Sequence, residues 1–264
     1  AVLRPGGDPL RHLLDALIAS DIYAADDPDT RFLVQAALRR SSRGLVEAVQ
    51  RSQLEPDANL LVVVDQFEEI FRFRRPGDDW GDAAAEFVRL LLEASAQSEV
   101  PIYIVITMRS DFLGECARYP GLAEAVNQSE YLIPRLNREQ WKLAIEGPVR
   151  VGGGAIAPRL TQRLLNDVAD DPDQLPTLQH ALMRAWNRWV ATATDGRPLD
   201  LEDYEAVGGM TEALSRHADE VYAALPDEAH RTAAERLFRA LTELAADDRG
   251  LRRPTRLGEL VALA

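Results

Sequence analysis

The chain has 264 residues, of which 46% are hydrophobic and 28% charged, and its 30 basic and 43 acidic residues give a formal net charge of −13. This is the composition of a soluble globular protein, and the charge argues against nucleic acid or an anionic membrane surface as a general partner. The single cysteine, Cys116, excludes an internal disulfide and fits a reducing compartment, so we expect a cytoplasmic location. No apolar run approaches the length of about 18 residues that spans a membrane.

Apolar segments alternate with helical patterns over the first half of the chain. Ala1–Leu3 is interpreted as the tail of a strand. Asp8 followed by Pro9 predicts the start of an amphipathic helix, because Asp caps helices and Pro suits their first position. Two further helical patterns cover Thr30–Arg39 and Ser42–Arg51.

The most informative segment is Leu60–Phe71, which reads LLVVVDQFEEIF. Its apolar part, Leu60–Val64, is typical of a strand buried on both faces of a parallel sheet. Ligands of open α/β sheets bind beyond the carboxyl ends of the strands, where Asp65 would be followed by Glu68 and Glu69. One carboxylate to hold a metal ion and another to orient a water are what nucleotide hydrolysis needs. A core strand followed by an acidic helix start explains the same residues.

A second apolar run, Pro101–Thr107, predicts another buried parallel strand, after a Pro/Gly loop and a helix. Arg109 and Asp111 follow it. If the two strands are neighbours, Asp65 and Arg109 bring a carboxylate for Mg²⁺ beside a cation for phosphate. The alternative is a structural salt bridge from Arg109 to Asp111 or to Glu68.

The rest of the chain is predicted to be helical, apart from a short strand at Tyr131–Ile133 and the extreme end. The fold class is therefore α/β followed by all-α. The glycine run Gly152–Gly154 follows no strand and is interpreted as a hinge or turn rather than a phosphate-binding loop. Helices are predicted over Trp141–Val149, Pro158–Ala169, Leu175–Val190, Leu201–Val207, Thr211–Ala224 and Asp227–Leu244.

Several common site motifs do not occur in the sequence. There is no GxxxxGK followed by Ser or Thr, the loop that normally wraps the phosphates of a nucleotide. The four histidines are isolated from one another and from the cysteine, so no metal-binding spacing of the HExxH or CxxC type is present. An enzymatic role for these residues alone is therefore difficult to support.

Three segments, LLVVVDQFEEIF, IYIVITMRSDFLGECARYPGLAEAV and DQLPTLQHALMRAW, resemble in their order and spacing the bacterial STAND NTPases. The resemblance is nearest to the novel STAND class, a NACHT-like subgroup of P-loop NTPases, and covers nearly the whole chain. It implies an incomplete parallel P-loop NTPase sheet over residues 1–135, lacking its first strand and Walker A loop. A helical domain over 136–209 and the beginning of a winged-helix domain over 210–264 would follow.

The resemblance also implies a role for each candidate residue. Asp65 matches the Walker B aspartate that holds Mg²⁺ through water, and Glu68 and Glu69 match the acidic pair of which one orients the attacking water. Arg109 matches the sensor arginine for the γ-phosphate. Pro176 matches the proline of the GxP motif near the adenine, although Gln replaces the glycine of that motif. The implied cofactors are ATP, or GTP, with Mg²⁺.

The predicted function is that of a segment of a nucleotide-controlled signal-transduction switch. The resemblance implies self-association, with effector and repeat sensor domains in the same longer chain. In the family's sheet the missing strand lies between the fourth and fifth strands, so we expect a gap with unpaired backbone groups. The alternatives are an inert NTPase-like scaffold or oligomerisation module, and a winged-helix transcriptional regulator, for which Arg252, Arg253 and Arg256 are the only hint.

Overall fold

The structure, a computed structural model, describes residues 1–23, 29–72, 80–168, 174–193, 196–244, 250–253, 255 and 257–263. The chain divides into two compact units, Ala1–Leu132 and Ile133–Ala264. The predicted Pro/Gly loop over Arg74–Asp79 lies outside the described residues. The further division of the second half into helical and winged-helix domains stays a prediction.

The first unit combines short parallel strands with helices. Asp8 caps the first helix as predicted, because its side chain accepts the backbone N–H of Arg11 at 3.1 Å. The described elements are β1 (Val2–Leu3), α1 (Pro9–Ile18), α2 (Thr30–Arg40), α3 (Gly44–Gln50), β2 (Leu60–Val64), α4 (Glu69–Arg72), α5 (Trp80–Ala96), β3 (Ile102–Ile106), a 3-10 helix (Ser110–Arg118) and α6 (Leu122–Ser129).

The three strands form one parallel sheet in the order β1-β2-β3, so β2 is the middle strand. Leu3 lies opposite Val64, and Val64 lies opposite Ile106. The prediction that the two long apolar runs form parallel strands is confirmed, and the two strands are neighbours. Within the described residues β3 pairs only with β2 and is therefore an edge strand of this sheet, and the expected gap stays a prediction.

One face of the sheet is buried and the other is exposed. Val62 and Val64 are fully buried, whereas Leu61, Tyr103 and Val105 are exposed. The prediction of strands buried on both faces is therefore wrong for β2 and β3. The physical reason is that the helices of this unit, among them α1 and α5, pack a common core against only one side of the sheet. The fully buried side chains of that core include Leu13, Leu17, Leu38, Leu45, Phe67, Phe87 and Leu90.

The strand predicted at Tyr131–Ile133 is wrong. This segment is highly exposed and belongs to no strand. A strand exists only where a neighbour accepts its backbone hydrogen bonds, and no described strand lies beside this segment. Pro134, which has no N–H, follows it directly.

The second unit is mainly helical. Asn137 and Gln140 form a capping box at the start of its first helix, with both side chain to backbone bonds at 2.9 Å. The helix predicted over Asp227–Leu244 is wrong at its end, because the chain turns after Ala240 into an antiparallel strand pair. The described elements are α7 (Arg138–Val151), α8 (Pro158–Asp167), α9 (Leu175–Thr192), α10 (Leu201–Ala206), α11 (Gly209–Ala223), α12 (Glu228–Ala240), β4 (Thr242–Leu244), β5 (Gly250–Arg252) and α13 (Leu257–Val261).

The glycine run of this unit is a packing turn at the end of α7. A Cβ at Gly152 would lie 2.8 Å from the Trp186 ring, and a Cβ at Gly154 would lie 2.7 Å from it, so a larger residue does not fit at either position. Trp186 and Trp189 lie with ring centroids 4.8 Å apart beside a core built from α8, α9 and α10. The interpretation of Gly152–Gly154 as a turn is confirmed. None of the helices that the structure describes is long and apolar enough to cross a membrane.

Candidate functional site

The carboxyl ends of the three parallel strands carry the candidate site. Arg4 follows β1, Asp65 follows β2 and Thr107 follows β3. Because the strand ends are in register, these three residues lie in a row at one edge of the sheet. The sequence pattern predicts Asp65 at this edge, which is where ligands of open α/β sheets bind. It gives no role to Arg4 or Thr107.

Each carboxylate oxygen of Asp65 has its own hydrogen-bond donor. The Thr107 hydroxyl donates to Oδ1 at 2.7 Å, and the Arg4 guanidinium donates through Nε to Oδ2 at 3.0 Å. These bonds, the Thr107 bond first, hold the pKa of Asp65 below its usual value, against a smaller opposing effect of burial. With 37% of its side chain exposed, Asp65 is a solvent-accessible anion at the sheet edge.

The turn that presents Asp65 is fixed from β3. Thr107 accepts the Gln66 N–H through its hydroxyl at 3.1 Å and the Phe67 N–H through its carbonyl at 2.8 Å. Gln66 has a φ of 54°, a left-handed conformation that non-glycine residues rarely adopt. Such strain persists only where the surroundings impose it, and it concentrates at functional sites. Thr107 and the fully buried Phe67 therefore set the direction of Asp65.

The two glutamates that follow have different surroundings. Glu68 is 7% exposed, and its Oε2 has no hydrogen-bond partner within the described part of the chain. Glu69 begins α4, and its Oε2 accepts the backbone N–H of Gly6 at 2.9 Å. A buried carboxylate oxygen without a donor is costly, and a bound water is one way of satisfying it.

The Arg4–Gly7 loop joins β1 to α1 and contacts Asp65 and Glu69. Gly6 has a φ of 52°, and a Cβ there would lie 2.6 Å from Cε1 of His12. The same imidazole holds the loop from the other side, because its Nδ1 lies 3.0 Å from the carbonyl oxygen of Arg4. Glycine is therefore required at position 6 for both conformation and space.

Arg109, the predicted sensor residue, bonds its neighbour in sequence. Its guanidinium donates to both carboxylate oxygens of Asp111, at 3.0 Å and 3.1 Å, and lowers the pKa of that carboxyl group. The pair is more than half exposed. The salt bridge to Asp111 weighed as an alternative is thus present, and the sensor role of Arg109 stays a prediction.

Pro176 belongs to the second unit. It lies exposed in the first turn of α9. Gln174 and Thr177, on either side of it in sequence, line a cleft of about 720 Å³ together with Tyr204 and Gly208. Its role near an adenine base stays a prediction.

The donor set around Asp65 suits a hard divalent cation. Carboxylate and hydroxyl oxygens are the ligands that Mg²⁺ takes from proteins, usually one or two of them, with phosphates and water completing the shell. Within the described residues there is no group of three or more His, Cys, Asp or Glu side chains able to hold a metal ion. Asp65 and Thr107 offer one carboxylate and one hydroxyl oxygen of the kind such an ion takes from a protein.

A small parallel sheet packed against helices, with an acidic residue at the end of its middle strand, is a partial α/β fold of the NTPase type. The family model described as Novel STAND NTPase 1 matches residues 1–264, and the chain belongs to this family. Membership implies a nucleotide and a divalent metal ion as cofactors. No curated protein matches the chain.

Proposed function

We propose that residues 1–264 provide the metal-binding and water-binding half of the nucleotide site in a STAND-type signal-transduction switch. The observation that carries this proposal is the position of Asp65. It ends the middle strand of a parallel sheet, is anionic and partly exposed, and is oriented by the Thr107 hydroxyl. These features support the assignment of Asp65 as a Walker B aspartate.

The proposed roles follow the surroundings of each side chain. Asp65 holds Mg²⁺, which neutralises phosphate charge when it is bound with ATP or GTP. Glu68 orients the attacking water, since its Oε2 is buried and lacks a described partner, whereas Glu69 is held by the Gly6 N–H. Arg109 leaves Asp111 to contact the γ-phosphate, and Pro176 packs near the base.

The phosphate-binding part of the nucleotide site is proposed to come from a further strand that pairs with the open edge of β3. The open edge of β3 supports this, because within the described residues β3 pairs only with β2 and the backbone N–H and C=O groups of a strand edge are normally paired or covered. The exposed segment Tyr131–Ile133 supports it as well, since it would find a partner on the far side of such a strand. The added strand would carry the Walker A loop and complete the five-strand order of the family.

The switch itself is proposed to be a two-state rearrangement biased by the nucleotide. In this proposal self-association and a winged helix that begins within residues 210–264 transmit the state to other parts of a cytoplasmic protein. The β4–β5 hairpin after α12 is compatible with the start of a winged helix. An inert scaffold is the second candidate, because Asp65 and Arg109 each already have a partner of opposite charge.

Hydrolysis by the natural protein that contains these residues tests the proposal. Asp65→Asn and Glu68→Gln should each lower kcat for ATP or GTP by about 100-fold or more, the usual effect of removing a catalytic acid–base or charge-stabilising group. Glu99→Gln is the matched control, an exposed carboxylate that pairs with Arg43 at 2.8 Å. Unchanged turnover in both site variants would contradict the assignment. A wild-type protein that binds nucleotide without turnover would favour the scaffold.

A further inference from the structure

We propose that Arg4 is a specificity-determining residue of the nucleotide site, whose guanidinium contacts the terminal phosphate and so distinguishes a triphosphate from a diphosphate. The inference rests on the proposed function of Asp65 and Glu68 and deepens it. It concerns a residue to which the sequence pattern gives no role.

The Arg4 guanidinium lies beside Asp65 at the strand ends, with most of its donors unused. Its Nε donates to Oδ2 of Asp65 at 3.0 Å. Within the part of the chain that the structure describes, this is the only hydrogen bond of the guanidinium, so neither terminal nitrogen has an acceptor there. The side chain is 61% exposed. Because an arginine carries five N–H donors in a planar fork that matches the oxygens of a phosphate group, four donors remain for a ligand.

The position of this cation relative to Asp65 and Glu68 selects the terminal phosphate. In nucleotide-hydrolysing sites the metal ion bridges the last two phosphates, and the water attacks the last one. Asp65 is proposed to hold that ion and Glu68 to orient that water, so the last phosphate belongs at this edge of the sheet. Because the family resemblance implies that Asp65 holds the ion through water, Arg4 can keep its bond to Oδ2 while its terminal nitrogens bind phosphate oxygens. A diphosphate lacks the group that they would bind.

The backbone that carries Arg4 is fixed by residues of the same site. The Gly6 N–H donates to Oε2 of Glu69 at 2.9 Å. From the other side of the loop, Nδ1 of His12 lies 3.0 Å from the Arg4 carbonyl oxygen. Asp65 holds the guanidinium itself. A cation that is already in place loses less conformational entropy when a ligand binds, so the contact adds to affinity although the side chain is exposed.

The test compares the affinity of the natural protein for a triphosphate that is not hydrolysed with its affinity for a diphosphate. The probes are AMP-PNP and ADP, with GMP-PNP and GDP in parallel, each as its Mg²⁺ complex in isothermal titration calorimetry. Arg4→Gln should weaken triphosphate binding about ten-fold, the effect of losing a charge-assisted hydrogen bond, and diphosphate binding less than about two-fold. Arg4→Lys, which keeps the charge but not the planar fork, should fall between Arg4→Gln and the wild type.

Arg31→Gln is the matched control. Arg31 is also exposed (53%) and pairs with a carboxylate, that of Asp15, but it belongs to α2 and not to the strand ends. The variant removes the same charge, and its preference for the triphosphate should equal that of the wild type. An equal loss in Arg4→Gln and Arg31→Gln would reduce the effect to net charge and overturn the role of Arg4. Circular dichroism of each variant confirms that it is folded.

The remaining outcomes separate this inference from the proposed function. If Arg4→Gln loses triphosphate and diphosphate affinity equally, or loses neither, while Asp65→Asn weakens the binding of the Mg²⁺–nucleotide complexes, the role of Arg4 is overturned and the proposed site stands. If Asp65→Asn leaves nucleotide affinity and its dependence on Mg²⁺ unchanged, the proposed function fails and this inference fails with it. A wild-type protein that binds none of the four nucleotides overturns both.

Discussion

Two aspartates bonded by arginine, Asp65 in the first unit and Asp203 in the second, show two different uses of the same ionic chemistry. Asp203 is fully buried and receives both terminal nitrogens of Arg197, at 2.7 Å and 2.8 Å. It also accepts the N–H of Asp200 at 3.2 Å as part of the capping box of α10. Asp65 receives one bond per oxygen, from Arg4 and Thr107, and is partly exposed.

The comparison shows what distinguishes a structural carboxylate from one that is available to a ligand. The pKa of both carboxyl groups is lowered, so this shift alone does not separate them. Asp203 is saturated by a bidentate partner only 6 residues away, within a single local motif. Asp65 is bonded by residues 61 and 42 positions away, which meet only at the end of the sheet. The two aspartates therefore differ in their burial and in how far away in the sequence their bonding partners are.

The largest expected effect tests this distinction through stability. Asp203→Asn should lower the free energy of unfolding of the second unit by about 3 kcal/mol, because it leaves Arg197 without its buried partner. Asp65→Asn should change the stability of the first unit by less than about 1 kcal/mol, since its ion pair is exposed. Urea denaturation measures both, with circular dichroism for the whole chain and tryptophan fluorescence for the second unit, which holds three of the four tryptophans, Trp141, Trp186 and Trp189.

Glu202→Gln is the control for the larger effect. Glu202 also pairs with Arg197, at 3.1 Å, but its side chain is 68% exposed. Its replacement should cost less than about 1 kcal/mol. Equal losses from Asp203→Asn and Asp65→Asn would show that the two aspartates have the same structural role, and the comparison would fail.

The local part of the site could be predicted from the sequence, and its long-range part could not. The apolar run of β2 and the acidic residues after it are contiguous, so Asp65, Glu68 and Glu69 are visible as one pattern. Arg4 is bonded to Asp65 only because β1 lies beside β2, and β1 has two residues, too few for a pattern. Strand order, which residue periodicity does not encode, was the missing information.

The fold shows the same division. The helix cap at Asp8 and the turn at Gly152–Gly154 are closed by hydrogen bonds between residues close in sequence and were predicted correctly. Tyr131–Ile133 has the apolar character of a strand, but forming one requires a neighbouring strand that the described residues do not supply. The exposure of one sheet face was missed because continuous apolar runs do not reveal whether a second layer covers them.

The second expected effect sharpens the comparison through the backbone of the Arg4–Gly7 loop. Gly6→Ala should destabilise the first unit by about 1–2 kcal/mol, because a Cβ at this φ is strained and would collide with the His12 ring. The displaced loop should also release Glu69. Gly7→Ala is the matched control, since a Cβ there meets nothing within 4 Å. Chemical denaturation measures the difference, and equal stabilities of the two variants would contradict a loop fixed at Gly6.

The smallest expected effect concerns the charge of Asp65. Thr107→Val removes the hydroxyl that contributes most to its lowered pKa, so the pKa of the folded state should rise toward the unfolded value of about 3.9. A lowered pKa contributes stability above the unfolded pKa and loses it as the pH falls through the folded pKa. The variant should therefore lose less than about 1 kcal/mol near neutral pH, and its deficit should shrink below about pH 4. Carboxyl-carbon NMR titration of Asp65 provides the measurement. Thr107→Ser keeps the hydroxyl and should keep the low pKa; if Ser and Val behave alike, the orientation of Asp65 by position 107 is refuted.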